Sequence, residues 1–133
     1  MSDDILDQLL NASLEAAMRL LGVDGEFYPF AVAMTVDGEL VAPSVDPGEE
    51  QPTADRVVEL LVAELRSARD GLTATALVSD VTIAGDEDQQ RDAIRVDLEP
   101  RDGDPVLIVV PYREGPVLDE PFGVASTRKV FGS

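Results

Sequence analysis

Apolar and polar residues alternate most regularly in the centre of the chain, and this pattern predicts a β-sheet. Residues 92–99 alternate strictly between apolar and charged side chains, which predicts a strand with one face on the core and the other in water. The apolar positions are Ile94, Val96 and Leu98, and the charged positions are Arg95, Asp97 and Glu99.

Two further strands are predicted beside this one. Residues 106–110 are apolar at every position and rich in Val, which predicts a central strand buried on both faces. Asp102-Gly103 predicts the hairpin turn that leads into it. Regular pairing should fail near Pro111, because proline has no N–H to donate to a ladder. Residues 73–84 predict the third strand.

The N-terminal half predicts two helices that enclose a hairpin. Apolar residues at helical spacing predict a helix before Gly22 and a second helix after Thr53, which can cap it. Asp37-Gly38 predicts a two-residue hairpin turn between them. The predicted elements are a helix over residues 3–21, strands over 26–36 and 39–42, and a helix over 54–70.

These elements predict one α+β domain over residues 1–133, in the order α-β-β-α-β-β-β. We expect a five-stranded antiparallel sheet of spatial order 2-1-5-4-3, with the two helices packed on one face. Residues 113–133 are expected to form an irregular tail because Gly and Pro recur there. The second face of 106–110 would then be covered by this tail or by a second copy, which makes a homodimer one expected assembly.

The charge distribution bears on the class of partner. The chain has 27 acidic and 10 basic residues, a formal charge of −17, and residues 22–52 contain seven acids and no base. This charge argues against nucleic acid and membrane surfaces as partners, because both are anionic. It suits a solvated surface, a docking face for a basic protein partner, or a nucleic-acid mimic. The absence of cysteine, of a long apolar run and of a basic start indicates a cytoplasmic protein.

Few features of the sequence indicate a catalytic or metal-binding site. The chain contains no His and no Cys, which excludes Ser-His and Cys-His nucleophiles and the usual zinc sites. The acids Asp86-Glu87-Asp88 could in principle hold calcium or magnesium, but they lack the spacing of an EF-hand loop and suit a solvated turn. We therefore predict no catalytic residue, no metal site and no cofactor.

The aromatic run before the first predicted strand offers a contact surface. On a strand, Phe27 would point away from Tyr28 and Phe30. Either Tyr28 and Phe30 lie in the core while Phe27 seals an edge, or the group contacts a partner. The candidate partner-binding residues are Phe27, Tyr28, Phe122 and Phe131.

Several short motifs resemble a group of small bacterial proteins of unknown function. The resemblance spans residues 26–113 and is carried by Glu26-Phe27-Tyr28-Pro29-Phe30, Asp37-Gly38, Asp92-Ala93-Ile94 before Val96-Asp97-Leu98-Glu99, and Pro111-Tyr112. It implies a free-standing cytoplasmic protein with no assigned activity or site.

Three functions are consistent with these features. The first is a non-enzymatic, acidic protein-protein interaction module that binds a basic protein partner. The alternative is a ligand-binding protein or an enzyme that uses carboxylates in a cavity between sheet and helices. The third is a structural subunit of a larger complex.

Overall fold

The computed structural model describes residues 2–46, 48, 50–84, 90–113 and 116–131. It confirms an α+β fold with two helices and an antiparallel, curled sheet. The elements are α1 (Ser2–Asp24), β1 (Phe30–Thr35), β2 (Leu40–Val41), α2 (Ala54–Ala68), a 3₁₀ turn (Arg69–Gly71), β3 (Leu72–Ala84), β4 (Gln90–Pro100), β5 (Val106–Arg113), β6 (Val117–Leu118) and β7 (Phe122–Ala125).

The sheet has seven strands in the order β2-β1-β3-β4-β5-β6, with β7 also paired to β5. The predicted order 2-1-5-4-3 is wrong, because β1 pairs with β3 and not with β5. Residues 73–84 were expected at the edge because 106–110 was predicted to be the central strand beside β1. Asp80 and Thr82 are polar residues in the second half of β3. They lie beyond Val78, where the pairing with β1 ends, so the apolar first half of β3 is interior.

The two helices cover opposite faces of the sheet, so the prediction that they share one face is also wrong. The core beside α1 contains Val32 of β1 and Ala76 of β3, whereas the core beside α2 contains Ala33 and Leu77. Neighbouring strand residues point to opposite faces, so these are two separate layers. Residues 31–34 of β1 are all buried, which requires a cover on each side.

The β1–β2 hairpin has a longer loop than the predicted two-residue turn. Gly38 has a φ of 88° and donates its N–H to the Thr35 carbonyl over 3.0 Å, and Thr35 donates to Glu39 over 2.8 Å. A three-residue loop that ends in a left-handed glycine fits this pattern. Because the loop has one residue more than predicted, Met34 pairs with Leu40.

The two acids on the charged face of β4 are buried, against the prediction that this face meets water, whereas the Arg95 side chain is 41% exposed. Asp97 is 8% exposed and Glu99 is 4% exposed, because residues 126–131, here termed the C-terminal latch, lie over them. The Glu99 carboxylate accepts the backbone N–H groups of Lys129, Val130 and Phe131 over 2.7, 3.0 and 2.7 Å. The Val130 side chain, 3% exposed, joins the core beside α2.

The predicted irregular tail contains two short strands, β6 and β7, that pair with the outer edge of β5. Pairing with β4 continues through Pro111, which lies opposite Ala93. The Pro111 carbonyl accepts the Asp119 N–H over 2.8 Å, so its missing N–H faces this outer edge and costs the β4–β5 ladder nothing. The predicted burial of residues 106–110 on both faces is confirmed at Val109 and Val110, whereas residues 106–108 are half-buried.

Candidate functional site: an acidic and aromatic groove

The candidate site begins where α1 ends. The helix continues past the predicted stop at Gly22 to Asp24. Gly25 then takes a φ of 75° and donates its N–H to the Leu21 carbonyl over 2.9 Å, which is a left-handed glycine cap. The last turn of α1 carries no basic residue, so the negative end of the helix dipole has no compensating charge within that turn.

A groove of about 860 Å³ opens beside this helix end. It lies between the end of α1, the segment that leads into β1, the start of α2 and the second half of β3. The lining residues are Leu20, Asp24, Glu26, Phe27, Tyr28, Pro29, Phe30, Ala54 and Asp80.

The aromatic residues of the groove differ in burial. Phe27 and Phe30 are half-buried against the core beside α1, with ring centroids 5.5 Å apart. Tyr28 is 55% exposed, so its interpretation as a core residue is wrong. The strand starts at Phe30, and residues before it do not follow the alternation that a strand would impose. The Tyr28 ring is therefore available to a binding partner at the wall of the groove.

Asp80 connects the groove to the interior. Tyr112 donates its hydroxyl proton to Asp80 Oδ1 over 2.7 Å, and the Phe27 backbone N–H also donates to this carboxylate. Burial raises the pKa of Asp80, and the negative charges of Asp92 and Glu26 raise it further. The two hydrogen bonds act to lower the pKa but do not outweigh burial. Burial and the hydrogen bond to Asp80 raise the pKa of Tyr112, so this tyrosine stays protonated as a donor.

The groove has a negative electrostatic character. Three carboxylates, Asp24, Glu26 and Asp80, line it, and no Lys or Arg is among the described residues that do so. The positive end of α2, which Thr53 caps over 3.1 Å as predicted, is offset by Asp55 in the first helical turn. Carboxylates gathered in a cleft attract cations more strongly than the same charges spread over a surface.

Six basic residues of the sheet and the latch are paired with groups outside the groove lining. Lys129 and Arg95 pair with Asp97 over 2.8 and 3.0 Å. Arg91 and Arg113 both pair with Asp119 near the β5–β6 edge. Arg128 and Arg101 donate to backbone carbonyls around the latch. None of these six residues is among the described lining residues of the groove.

The four predicted partner-binding residues lie on three separate surfaces. Phe27 and Tyr28 line the groove. Phe122 lies on β7, 49% exposed. Phe131 belongs to the latch, where the Arg101 guanidinium lies 5.2 Å from the centre of its ring. The sequence prediction missed Asp24, Glu26 and Asp80; the first two adjoin the aromatic run in the chain, whereas Asp80 reaches it only through the fold.

The described residues contain no group of three acids placed to hold a metal ion. The predicted solvated turn at Asp86-Glu87-Asp88 lies outside the described ranges. No helix in the part of the chain that the structure describes is both long enough and apolar enough to cross a membrane. No protein-family model, curated protein or solved structure matches this chain. The resemblance to small bacterial proteins of unknown function therefore stays a prediction.

Proposed function

We propose that this protein is a non-enzymatic interaction module whose groove binds a basic segment of a partner protein. The observation that supports this best is the exposed Tyr28 ring at a groove lined by three carboxylates, with no basic residue among its described lining residues. Together these groups offer a guanidinium or ammonium group an ion pair with a carboxylate and a cation–π contact with an aromatic ring.

Each interaction makes a modest contribution, so several are needed. A cation over an exposed aromatic ring gains about 0.5–1 kcal/mol. An exposed ion pair gains about 0–1 kcal/mol and is screened by salt. The groove volume lies within the range of about 300–1,000 Å³ that is usual for binding clefts. A segment with several Arg or Lys residues can therefore bind by summing contacts that are individually weak.

A fluorescently labelled hexa-arginine peptide tests the proposal by anisotropy titration. Glu26→Gln in the groove is compared with Glu39→Gln in the β1–β2 hairpin, where the side chain is exposed. Glu26 precedes β1 and Glu39 follows it, and the six residues of this strand span about 17 Å. Both variants change the net charge equally, so only position differs between them.

We expect Glu26→Gln to weaken binding about two- to fivefold, in proportion to one ion pair, and Glu39→Gln to have much less effect. Tyr28→Ala is compared in the same way with Val36→Ala, which is 57% exposed but far from the groove. Equal losses in the two members of each pair would show non-specific attraction to a −17 protein and would refute the groove as a site.

One observation favours the alternative, a site for a small cationic ligand or an enzyme that uses carboxylates. Asp80, with its raised pKa and its Tyr112 partner, is a protonatable group at the groove wall. The triamine spermidine distinguishes the alternatives, because it carries charge without a polypeptide. Saturable binding of spermidine that is tighter than that of hexa-arginine and is lost in Asp80→Asn would favour the small-ligand site.

Two further proposals accompany the function. A cytoplasmic location is supported by the absence of cysteine from the sequence and is tested by fractionation of cells that produce the protein. Assembly into a homodimer concerns a different surface, the outer edge of β7.

A further inference from the structure

The strand β7 leaves one sheet edge open. All four of its residues are exposed, and it pairs with β5 but with no second strand among the described residues. Phe122 and Val124 are each 49% exposed, and they share a face because strand side chains alternate. An open edge of this kind presents unpaired backbone groups as well as apolar side chains.

The hydrogen bonds show which backbone groups face outwards. Ser126, directly after β7, donates its N–H to the Pro105 carbonyl over 3.4 Å, so its polar groups face β5. The direction of the backbone N–H and C=O groups alternates along a strand, so those of Phe122 and Val124 also face β5. The N–H and C=O groups of Gly123 and Ala125 then face away from β5.

We propose that β7 pairs antiparallel with β7 of a second copy of this chain, continuing the sheet across a two-fold axis. The register that pairs the outward groups of both strands places Gly123 opposite Ala125 of the second copy. Val124 then lies on the axis against its own counterpart. A register centred on Gly123 would place Ala125 opposite Pro121, which has no N–H to donate.

The apolar residues suit this arrangement. Phe122 and Val124 are register neighbours of Val109 and Leu107 on β5, so the four residues form a strip on one face. A two-fold axis perpendicular to the sheet places the strips of both copies on the same face, where they join. The second copy would shield from water part of the apolar surface that Phe122 and Val124 expose at this edge.

The charge distribution indicates why the partner is a second copy. Two chains of charge −17 repel each other over most of their surface, but residues 113–133 carry three acids and three bases. The same register brings Glu120 to the level of Arg128 of the second copy. The opposite sheet edge, β2, also exposes Leu40 and Val41, but Asp37 and Glu39 beside it would oppose self-association.

A single-cysteine variant tests this register, because the native chain has no cysteine. Val124→Cys would place two thiols at a non-hydrogen-bonded antiparallel pair, whose Cα atoms are about 4.5 Å apart, close enough for a disulfide. Ala125→Cys is the matched control, since its side chain points to the other face and lies opposite Gly123. Under mild oxidation we expect nearly complete cross-linking of Val124→Cys and at least tenfold slower cross-linking of Ala125→Cys.

Sedimentation equilibrium of the unmodified chain gives an independent measurement. We expect a mass twice 14.2 kDa. Ala125→Pro removes an outward N–H that β5 does not use, so it should give a monomer with an unchanged circular dichroism spectrum. A monomeric native chain at high micromolar concentration, or equal cross-linking of the two cysteine variants, would overturn the proposal, whatever the groove binds.

Discussion

The C-terminal latch and the acidic groove place carboxylates in opposite situations. In the latch region, Asp97 and Glu99 are buried and accept hydrogen bonds from Lys129, Arg95 and three backbone N–H groups. In the groove, Asp24 and Glu26 are exposed, and Asp80 has a raised pKa. The comparison separates acids that hold the fold together from acids that are free to bind a cation.

The two aspartates with shifted pKa values show the difference most clearly. Burial acts to raise the pKa of Asp97, but hydrogen bonds from Arg95 and Lys129, with their charges, outweigh it and hold the pKa below its usual value. At Asp80 burial prevails over two hydrogen bonds from uncharged donors. A nearby cation therefore decides whether ionisation of a partly buried carboxyl stabilises or destabilises this fold.

The largest effect is expected from removing Glu99. Glu99→Ala leaves the three latch N–H groups without their acceptor and should lower the free energy of unfolding by about 3 kcal/mol or more. Glu59→Ala is the control, because that side chain is 73% exposed and should cost no more than about 0.5 kcal/mol. Urea unfolding at pH 7 measures both variants, and equal, small losses would contradict the structural role of the latch.

A smaller, pH-dependent loss is expected for Asp97→Asn, about 2 kcal/mol at pH 7. The pKa of Asp97 is lower in the folded than in the unfolded chain, so its ionisation stabilises the fold above the unfolded value of 3.8. This contribution is lost as the pH falls through the lower, folded pKa. Unfolding curves measured from pH 7 down to about pH 2.5 should converge for wild type and variant. A constant difference would show that the charge of Asp97 does not matter.

For Asp80→Asn we expect the change in stability at pH 7 to have the opposite sign from that of Asp97→Asn. The pKa of Asp80 is raised in the folded chain, so the wild type loses stability as the pH rises through that value. The amide carries no charge and can still accept the Tyr112 hydroxyl proton. At pH 7 we expect the variant to be as stable as wild type or up to about 1 kcal/mol more stable, with no such gain in acid. The same unfolding series measures it, and a loss at pH 7 would place Asp80 with the structural acids.

The sequence predicted those parts of the fold that local pattern determines. The hairpin at Asp102-Gly103 and the Thr53 cap follow from backbone preferences of a few neighbouring residues, and both are present. The covering of Asp97 and Glu99 could not be predicted in this way. Alternating charges on a strand look the same whether they face water or a segment that begins some 30 residues further along the chain.

The groove was predictable only in part for the same physical reason. The aromatic run and the adjacent acids are visible in the sequence, but the exposure of Tyr28 depends on where β1 starts. The position of Asp80 depends on the pairing of β3 with β1, which is set by packing between distant segments. Residue types thus indicated the chemistry of the site, whereas its geometry required the tertiary structure.

The most direct test of the proposed function maps where a basic segment binds. Backbone amide shifts of the isotopically labelled protein are followed by NMR during titration with hexa-arginine. The groove hypothesis predicts saturable shifts at Leu20, Tyr28 and Ala54, with little change in the acidic hairpin around Asp37 and Glu39. Shifts of similar size at both places, without saturation, would contradict it.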